Sequence, residues 1–280
     1  MNARLPPLTP RLPRDGADWA SFMGSVDIPV LSRTAAAIEE LRELEDAVDA
    51  HLLADSIGTD PLMSLKVLAH VARQPWKHRT TDAETVTEAL VMLGIGPFFR
   101  AFGGQATVDE HLAAQPEALA GLRQVLRRAH RGASFALGFA VHRMDHDAPV
   151  IHQAALLHDF AEMLLWCHAP AQALAIRQLQ QADPALRSSE AQAAVLGVAL
   201  ADLQQLLMKA WRLPELLVRI SDERHTDSAQ VRNVLLALRL ARHTAHGWDN
   251  PAVPDDLVEI AALLNLGLGP TEKLLLDLDS

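Results

Sequence analysis

Signals that start a helix recur along this chain and restrict it to helices joined by short connections. Asp60-Pro61 is the clearest of them, since aspartate caps a helix well and proline suits the first turn, where no N–H is needed. Thr81 to Glu84 has the spacing of a capping box, and Gly94 follows the next apolar positions as a helix stop. Further helix starts are predicted at Pro116, Pro149, Ser189, Asp227, Pro254 and Pro270, and Pro170 is expected to interrupt the helix that contains His158-Asp159.

The composition favours the same fold class. Hydrophobic residues make up 49% of the 280 positions, which is enough for a sizeable core, and Tyr is absent. Ala and Leu dominate, and no stretch shows the sustained alternation typical of strands. The sequence therefore predicts an all-α protein of about a dozen helices. Two long helices are expected, one from Pro116 to about Asp145 and one from Ser189 to Lys209.

Prolines and polar residues also suggest how the chain is divided. Residues 1–18 carry four prolines and scattered arginines, which predicts a flexible tail. Polar residues and proline interrupt the apolar pattern from Ala106 to Pro116. We therefore expect an N-terminal helical lobe over residues 19–110 and a C-terminal lobe over 111–280.

Charge and cysteine content exclude several classes of partner. The formal net charge of −10 opposes binding to nucleic acid or to an anionic membrane, and 4% aromatic residues leave little for base stacking. The lone cysteine, Cys167, excludes disulfides and Cys-rich zinc sites, and its apolar neighbours predict a reduced core thiol. The N-terminus lacks the apolar segment of a signal peptide, and no apolar run reaches membrane-spanning length. We expect a cytoplasmic protein.

The candidate chemistry lies in an apolar run from Val150 to Trp166 that contains His158-Asp159. A buried carboxylate is costly unless it is paired or binds a metal. A metal at the helix flank could reach both side chains, with His130 approaching from the preceding helix. In the alternative, Asp159 pairs with a cation or caps a backbone group, and His158 donates one hydrogen bond. The residues alone leave both readings open.

Several segments, in this order and spacing, resemble the HDOD family, the HD-related output domain of bacterial signalling proteins. The resemblance covers roughly residues 22 to 245. It implies an all-α, HD-domain-like helical bundle with an N-terminal lobe, and a regulatory role. The matching segments are Ile28–Leu31, Ile57–Leu68, Thr85–Gly94, Ala154–Asp159, Glu190–Gly197 and Trp211–Pro214, with His225 following.

The resemblance also implies a degenerate metal site. In catalytic HD proteins one His precedes the His-Asp pair and a last Asp comes from a later helix. His130, His158 and Asp159 fit the first three places, but Arg242 stands where the last Asp would align, and a guanidinium cannot ligate a cation. We therefore expect no metal, no cofactor and no catalytic residue.

Three functions remain as hypotheses from the sequence. The first is a non-catalytic signal-transduction module that binds an unknown signalling protein or a ligand and can also form homo-oligomers. The alternative is a metal-dependent HD-type phosphohydrolase acting on a nucleotide, with His225 as a substitute ligand. The third is a purely structural scaffold.

The sharpest structural expectation concerns Arg242. Its planar fork suits bidentate pairing with a carboxylate, so we expect an Asp159–Arg242 ion pair at the vacated metal site. His158 and His130 would lie beside it as neutral imidazoles. Arg239, almost one turn earlier, is the alternative partner.

Overall fold

A computed structural model describes residues 13–75 and 82–279, and within these ranges the fold is all-α, as predicted. A single parallel bridge between Val30 and Thr107 is the only strand-like pairing there. The described residues form more helices than the dozen expected, because several predicted segments are broken. The α-helices are α1 (Gly16–Ser25), α2 (Ser32–Arg42), α3 (Ala50–Ile57), α4 (Pro61–Arg73), α5 (Val86–Leu93), α6 (Ile95–Phe102), α7 (Val108–His111), α8 (Pro116–His142), α9 (Ala148–Leu157), α10 (Phe160–His168), α11 (Pro170–Ala182), α12 (Ser188–Leu196), α13 (Leu200–Ala210), α14 (Glu215–Ile220), α15 (Ala229–His243), α16 (Val253–Leu264) and α17 (Leu268–Leu278).

Asp60 shows how a helix start also organises its surroundings. Its Oδ1 accepts hydrogen bonds from the backbone N–H groups of Leu62, at 2.9 Å, and Met63, at 3.2 Å. Its Oδ2 accepts one from Leu31, at 2.7 Å, which ties the segment before α2 to α4. Burial raises the pKa of this carboxyl even though these hydrogen bonds act in the opposite direction.

The capping box lies one turn later than predicted. Thr81 is outside the described residues, and the box that starts α5 is formed by Thr85 and Glu88. The Thr85 hydroxyl accepts from the N–H of Glu88 at 3.3 Å, and the Glu88 carboxylate accepts from the N–H of Thr85 at 3.2 Å. Gly94 then ends α5 as expected, with φ +82°.

The long helix predicted from Ser189 to Lys209 is wrong, because the chain bends by 67° between α12 and α13. Gly197 ends α12 in the left-handed region, with φ +74°. A Cβ atom at this position would lie 2.3 Å from the carbonyl oxygen of Arg14, so the chain before α1 packs directly on the bend. The indole N–H of Trp19, in α1, also stabilises the bend by donating a hydrogen bond to the carbonyl of Leu196 at 3.0 Å.

The centre of the fold is α8, which packs against α9, α10 and α15. Its 27 residues make it about 40 Å long at 1.5 Å per residue. The predicted tail of residues 1–18 extends too far, because α1 already begins at Gly16. Residues 1–12 lie outside the described part, and the two-lobe division stays a prediction.

Among the described residues, no single helix combines the length and apolar character needed to cross a membrane. Helices α12 and α13 meet both criteria only when taken together across their bend.

The bend at Gly197 yields a test of the fold. We expect Gly197→Ala to lower the free energy of unfolding by about 2 kcal/mol or more, because a left-handed alanine is strained and its methyl group would meet the Arg14 carbonyl. Urea unfolding measures this. Gly269→Ala is the matched control, since nothing lies within 4 Å of its added Cβ. A Gly197→Ala protein as stable as the wild type would contradict this account of the bend.

Candidate functional site

His158 and Asp159 lie at the junction of α9 and α10 and not within one continuous helix. The helix ends at Leu157 and restarts at Phe160, both of which are buried. Because of this break, the side chains of His158 and Asp159 lie beside the core, and the apolar residues on either side of them remain packed. His158 is 9% exposed.

The pair opens onto a cleft of about 460 Å³. One wall is α8, where Gly121 lets the indole of Trp166 approach closely: a Cβ at Gly121 would lie 2.6 Å from the ring. The rest of the lining comes from α10, α11, the start of α12 and α13, together with Glu223 and Arg242. Its size is typical of a small-molecule site.

Arg128 of α8 is the ion-pair partner of Asp159. Its Nη2 lies 2.7 Å from Asp159 Oδ2 and 2.6 Å from Glu162 Oε2, and its Nε donates to the same Asp159 oxygen at 2.8 Å. All three side chains are largely buried, with exposed fractions of 21%, 15% and 30% for Arg128, Asp159 and Glu162. One guanidinium therefore joins α8 to two carboxylates beside the cleft.

The expected Asp159–Arg242 pair is therefore wrong. Helix α10 packs directly on α8, which brings Arg128 to Asp159, whereas Arg242 sits exposed on the cleft rim. Arg239 is not the partner either, because it lies 2.6 Å from Asp256 and 2.8 Å from Glu259 on α16. The expectation that a guanidinium pairs with Asp159 holds, but the guanidinium comes from a different helix.

His158 lies between two carboxylates. Its Nδ1 donates to Asp159 Oδ1 at 3.1 Å, and its Nε2 lies 3.3 Å from Glu223 Oε1, at ion-pair distance but outside hydrogen-bond geometry. Burial lowers the pKa of His158, but Asp159 and Glu223 outweigh it and raise the pKa to about 9. The two carboxylates therefore favour the imidazolium form of His158 over the neutral imidazole expected from the sequence.

The carboxylate of Asp159 responds in the opposite sense. Burial raises its pKa, but Arg128 and the His158 imidazolium together hold the pKa well below its usual range. Arg128 is affected in the same way: burial lowers its pKa, and Asp159 and Glu162 raise it above the ordinary value. The three groups therefore stay charged together.

The structure does not bring the other predicted ligands to this place. His130 bonds through Nε2 to the carbonyl of Thr59, in the turn before α4. His225 is exposed and lies 3.6 Å from Asp222. Neither side chain lines the cleft.

These residues do not fit a divalent cation. One oxygen of Asp159 is held by a guanidinium and the other by an imidazolium, and a protonated His158 has no lone pair to give. In the described ranges, no group of three or more His, Cys, Asp or Glu side chains is arranged to hold a metal. Arg128, Asp159, Glu162 and His158 therefore form an ionic cluster beside the cavity.

Comparison with known proteins identifies the family. The HDOD domain profile matches residues 28–227, which is most of the chain. The chain belongs to the HDOD family. No curated protein matches its sequence.

Two solved structures share this fold. The MmoQ response regulator from Methylococcus capsulatus is 20% identical with a TM-score of 0.69, and the match covers 90% of this chain and 98% of that one. A virulence factor from Campylobacter jejuni is 18% identical with a TM-score of 0.63, and the match covers 93% of this chain and 97% of that one. Both matches show that this chain has an HD-like helical fold.

The position of Arg128 could have been inferred from the sequence, because its neighbours at helical spacing are small or apolar. Gly121, Val125 and Gly132 form one buried stripe of α8, and Arg128 falls on that stripe at helical spacing. A cation on a buried stripe needs a carboxylate nearby, and the apolar run of α9 and α10 supplies Asp159. His130 falls on a different flank of the same helix.

Removing Arg128 should be costly. We expect Arg128→Ala to lower the free energy of unfolding by about 3 kcal/mol, because it leaves two largely buried carboxylates without their cation. Arg123→Ala, on the same helix, is the matched control. Its pair with Asp109 is exposed and contributes less than about 1 kcal/mol. Equal losses in the two variants, measured by urea unfolding, would show that the Arg128 cluster is not buried in solution.

His158 should make stability depend on pH. Because its folded pKa of about 9 exceeds the ordinary 6.5, its charge stabilises the fold fully below pH 6.5 and progressively less as pH rises through 9. Wild type should therefore lose about 3 kcal/mol of stability relative to His158→Gln across this window. Unfolding free energies of both proteins at pH 6 and pH 9.5 (about half a unit outside the window) measure the difference. A constant difference across pH would refute the charged His158.

Proposed function

We propose that this chain is a non-catalytic HDOD-type regulatory module that acts in signal transduction by binding a protein or a small ligand. The observation that carries the proposal is the Arg128 guanidinium bonded to Asp159 and Glu162. Family membership supports the signalling role, as does the description of MmoQ as a response regulator.

The ionic cluster also argues against general-base or metal chemistry. A base must be able to take up a proton, and the lowered pKa of Asp159 and the protonated His158 leave neither group available near neutral pH. Arg128 holds the carboxylate from which a metal would have to take its ligand oxygen. A binding role needs none of these groups to react.

The partner in this proposal is a signalling protein or a small molecule, with neither nucleic acid nor membrane involved. The net charge of −10 supports the exclusion of nucleic acid. Cys167 is buried and forms no disulfide, and burial raises its pKa to about 12. The cytoplasmic location is part of the proposal and comes from the sequence alone.

The proposal predicts that the purified protein hydrolyses no nucleotide. Cyclic di-GMP, ppGpp and simple nucleotides are incubated with the protein in Mn²⁺, Mg²⁺ or Fe²⁺, and products are separated by chromatography. We expect rates equal to those of a blank without protein. Turnover that disappears in both His158→Ala and Asp159→Ala would establish the alternative, a metal-dependent HD-type phosphohydrolase.

A further inference from the structure

Two arginines of the cleft have no carboxylate within ion-pair distance in the part of the chain that the structure describes. Arg177 of α11 lies over the indole of Trp166, with its Cζ 5.1 Å from the ring centroid. Arg242 of α15 stands at the end of the cleft that holds His158 and Glu223. An unpaired guanidinium in a concave site is suited to bind a carboxylate or a phosphate.

The charge balance of the cleft favours the same kind of ligand. Arg128 is satisfied by Asp159 and Glu162, so these three groups offer little to a ligand. The His158 imidazolium and the two unpaired arginines then face a single further carboxylate, Glu223. With His158 as an imidazolium, the lining carries four positive and three negative side chains, a net charge of +1 in a chain whose net charge is −10.

Glu223 is weakly held where an anion would bind. Its carboxylate lies 3.3 Å from His158 Nε2 without forming a hydrogen bond of normal geometry. The side chain is 51% exposed and belongs to the connection between α14 and α15. His158 lowers the pKa of Glu223, burial opposes this change, and the charge of Arg242 lowers the pKa further.

A smaller pocket of about 190 Å³ adjoins the cleft at His158, Gln204 and Glu223. Two buried polar atoms of residues on its wall, Ser221 Oγ and Gln205 Oε1, have no hydrogen-bond partner within the described ranges. The residues are 5% and 8% exposed. Both atoms are too buried to contact a ligand, and the carboxylates of Asp202 and Asp222 also line this pocket, so the anion is confined to the larger cleft.

We propose that the cleft binds a small organic anion whose carboxylate or phosphate group displaces Glu223 from His158 and is held by His158 and Arg242. The remainder of the ligand lies along α8 towards Trp166 and Arg177. Glu223 acts as an internal competitor that closes the site in the absence of ligand. This inference rests on the ligand-binding form of the proposed function.

Isothermal titration with inorganic phosphate and with succinate, at pH 7 and constant ionic strength set with NaCl, tests the proposal. Glu223→Gln should tighten binding of at least one probe about tenfold, since it removes the competing charge. Arg242→Gln should weaken that binding about tenfold, by loss of a charge-assisted hydrogen bond. Arg33→Gln, an exposed arginine of α2, is the matched control and should leave affinity unchanged.

The two probes distinguish the ligand chemistries. A preference for phosphate identifies a phosphorylated ligand, and a preference for succinate identifies a carboxylic acid. In either case the carbon-bound ring protons of His158, followed by NMR in wild type and Glu223→Gln, should shift on titration. Circular dichroism and melting temperature establish that each variant is folded.

Absence of binding by the folded Glu223→Gln protein, or equal weakening by Arg33→Gln and Arg242→Gln, would overturn the anion site. That result would leave a module acting through protein contact intact. Nucleotide hydrolysis would instead overturn the proposed function whether or not phosphate binds. The two failures are therefore distinguishable.

Discussion

The guanidinium of Arg128, held between Asp159 and Glu162, is the interaction on which the rest of the site depends. Desolvation of buried charges offsets most of their attraction, so such a cluster contributes more to fixing one arrangement of helices than to net stability. It sets the register of α10 on α8 and keeps Asp159 ionised. Asp159 and Glu223 in turn raise the pKa of His158, so Arg128 influences the charge of the whole centre through Asp159.

This dependence links packing to function. Helix α8 carries Gly121 and Arg128 two turns apart on one face, and these residues position Trp166 and Asp159 respectively. The same face therefore builds both ends of the cleft. We propose that Arg128 supplies the positive charge at this centre and that the protein uses the cavity of its HD-like bundle for binding.

The fold class could be predicted from the sequence because the signals that start a helix are local. Asp60-Pro61 and Pro116 start helices for reasons contained in a few neighbouring residues, and the family resemblance adds their order. The bend at Gly197 escaped prediction because an isolated glycine in a helical pattern is ambiguous until Arg14 is known to pack on it.

The partner of Asp159 was harder to predict because it depends on helix packing. Alignment with catalytic relatives pointed to Arg242, whereas the rotation of α8 about its axis presents Arg128 and turns His130 towards Thr59. Adjacent residues on a helix differ by about 100° in direction, so a position two residues away faces a different neighbour. The charge state of His158 followed from the same geometry and could not be read from its sequence context.

Electron paramagnetic resonance of Mn²⁺ tests the central claim most directly. If Arg128 occupies the cation's place, Mn²⁺ added to the wild-type protein at neutral pH keeps the signal of the free aqueous ion, with no stoichiometric binding. One tightly bound Mn²⁺ per chain, lost in both His158→Ala and Asp159→Ala, would show that Asp159 leaves Arg128 for a metal. That result would contradict the account of a centre held together by an internal cation.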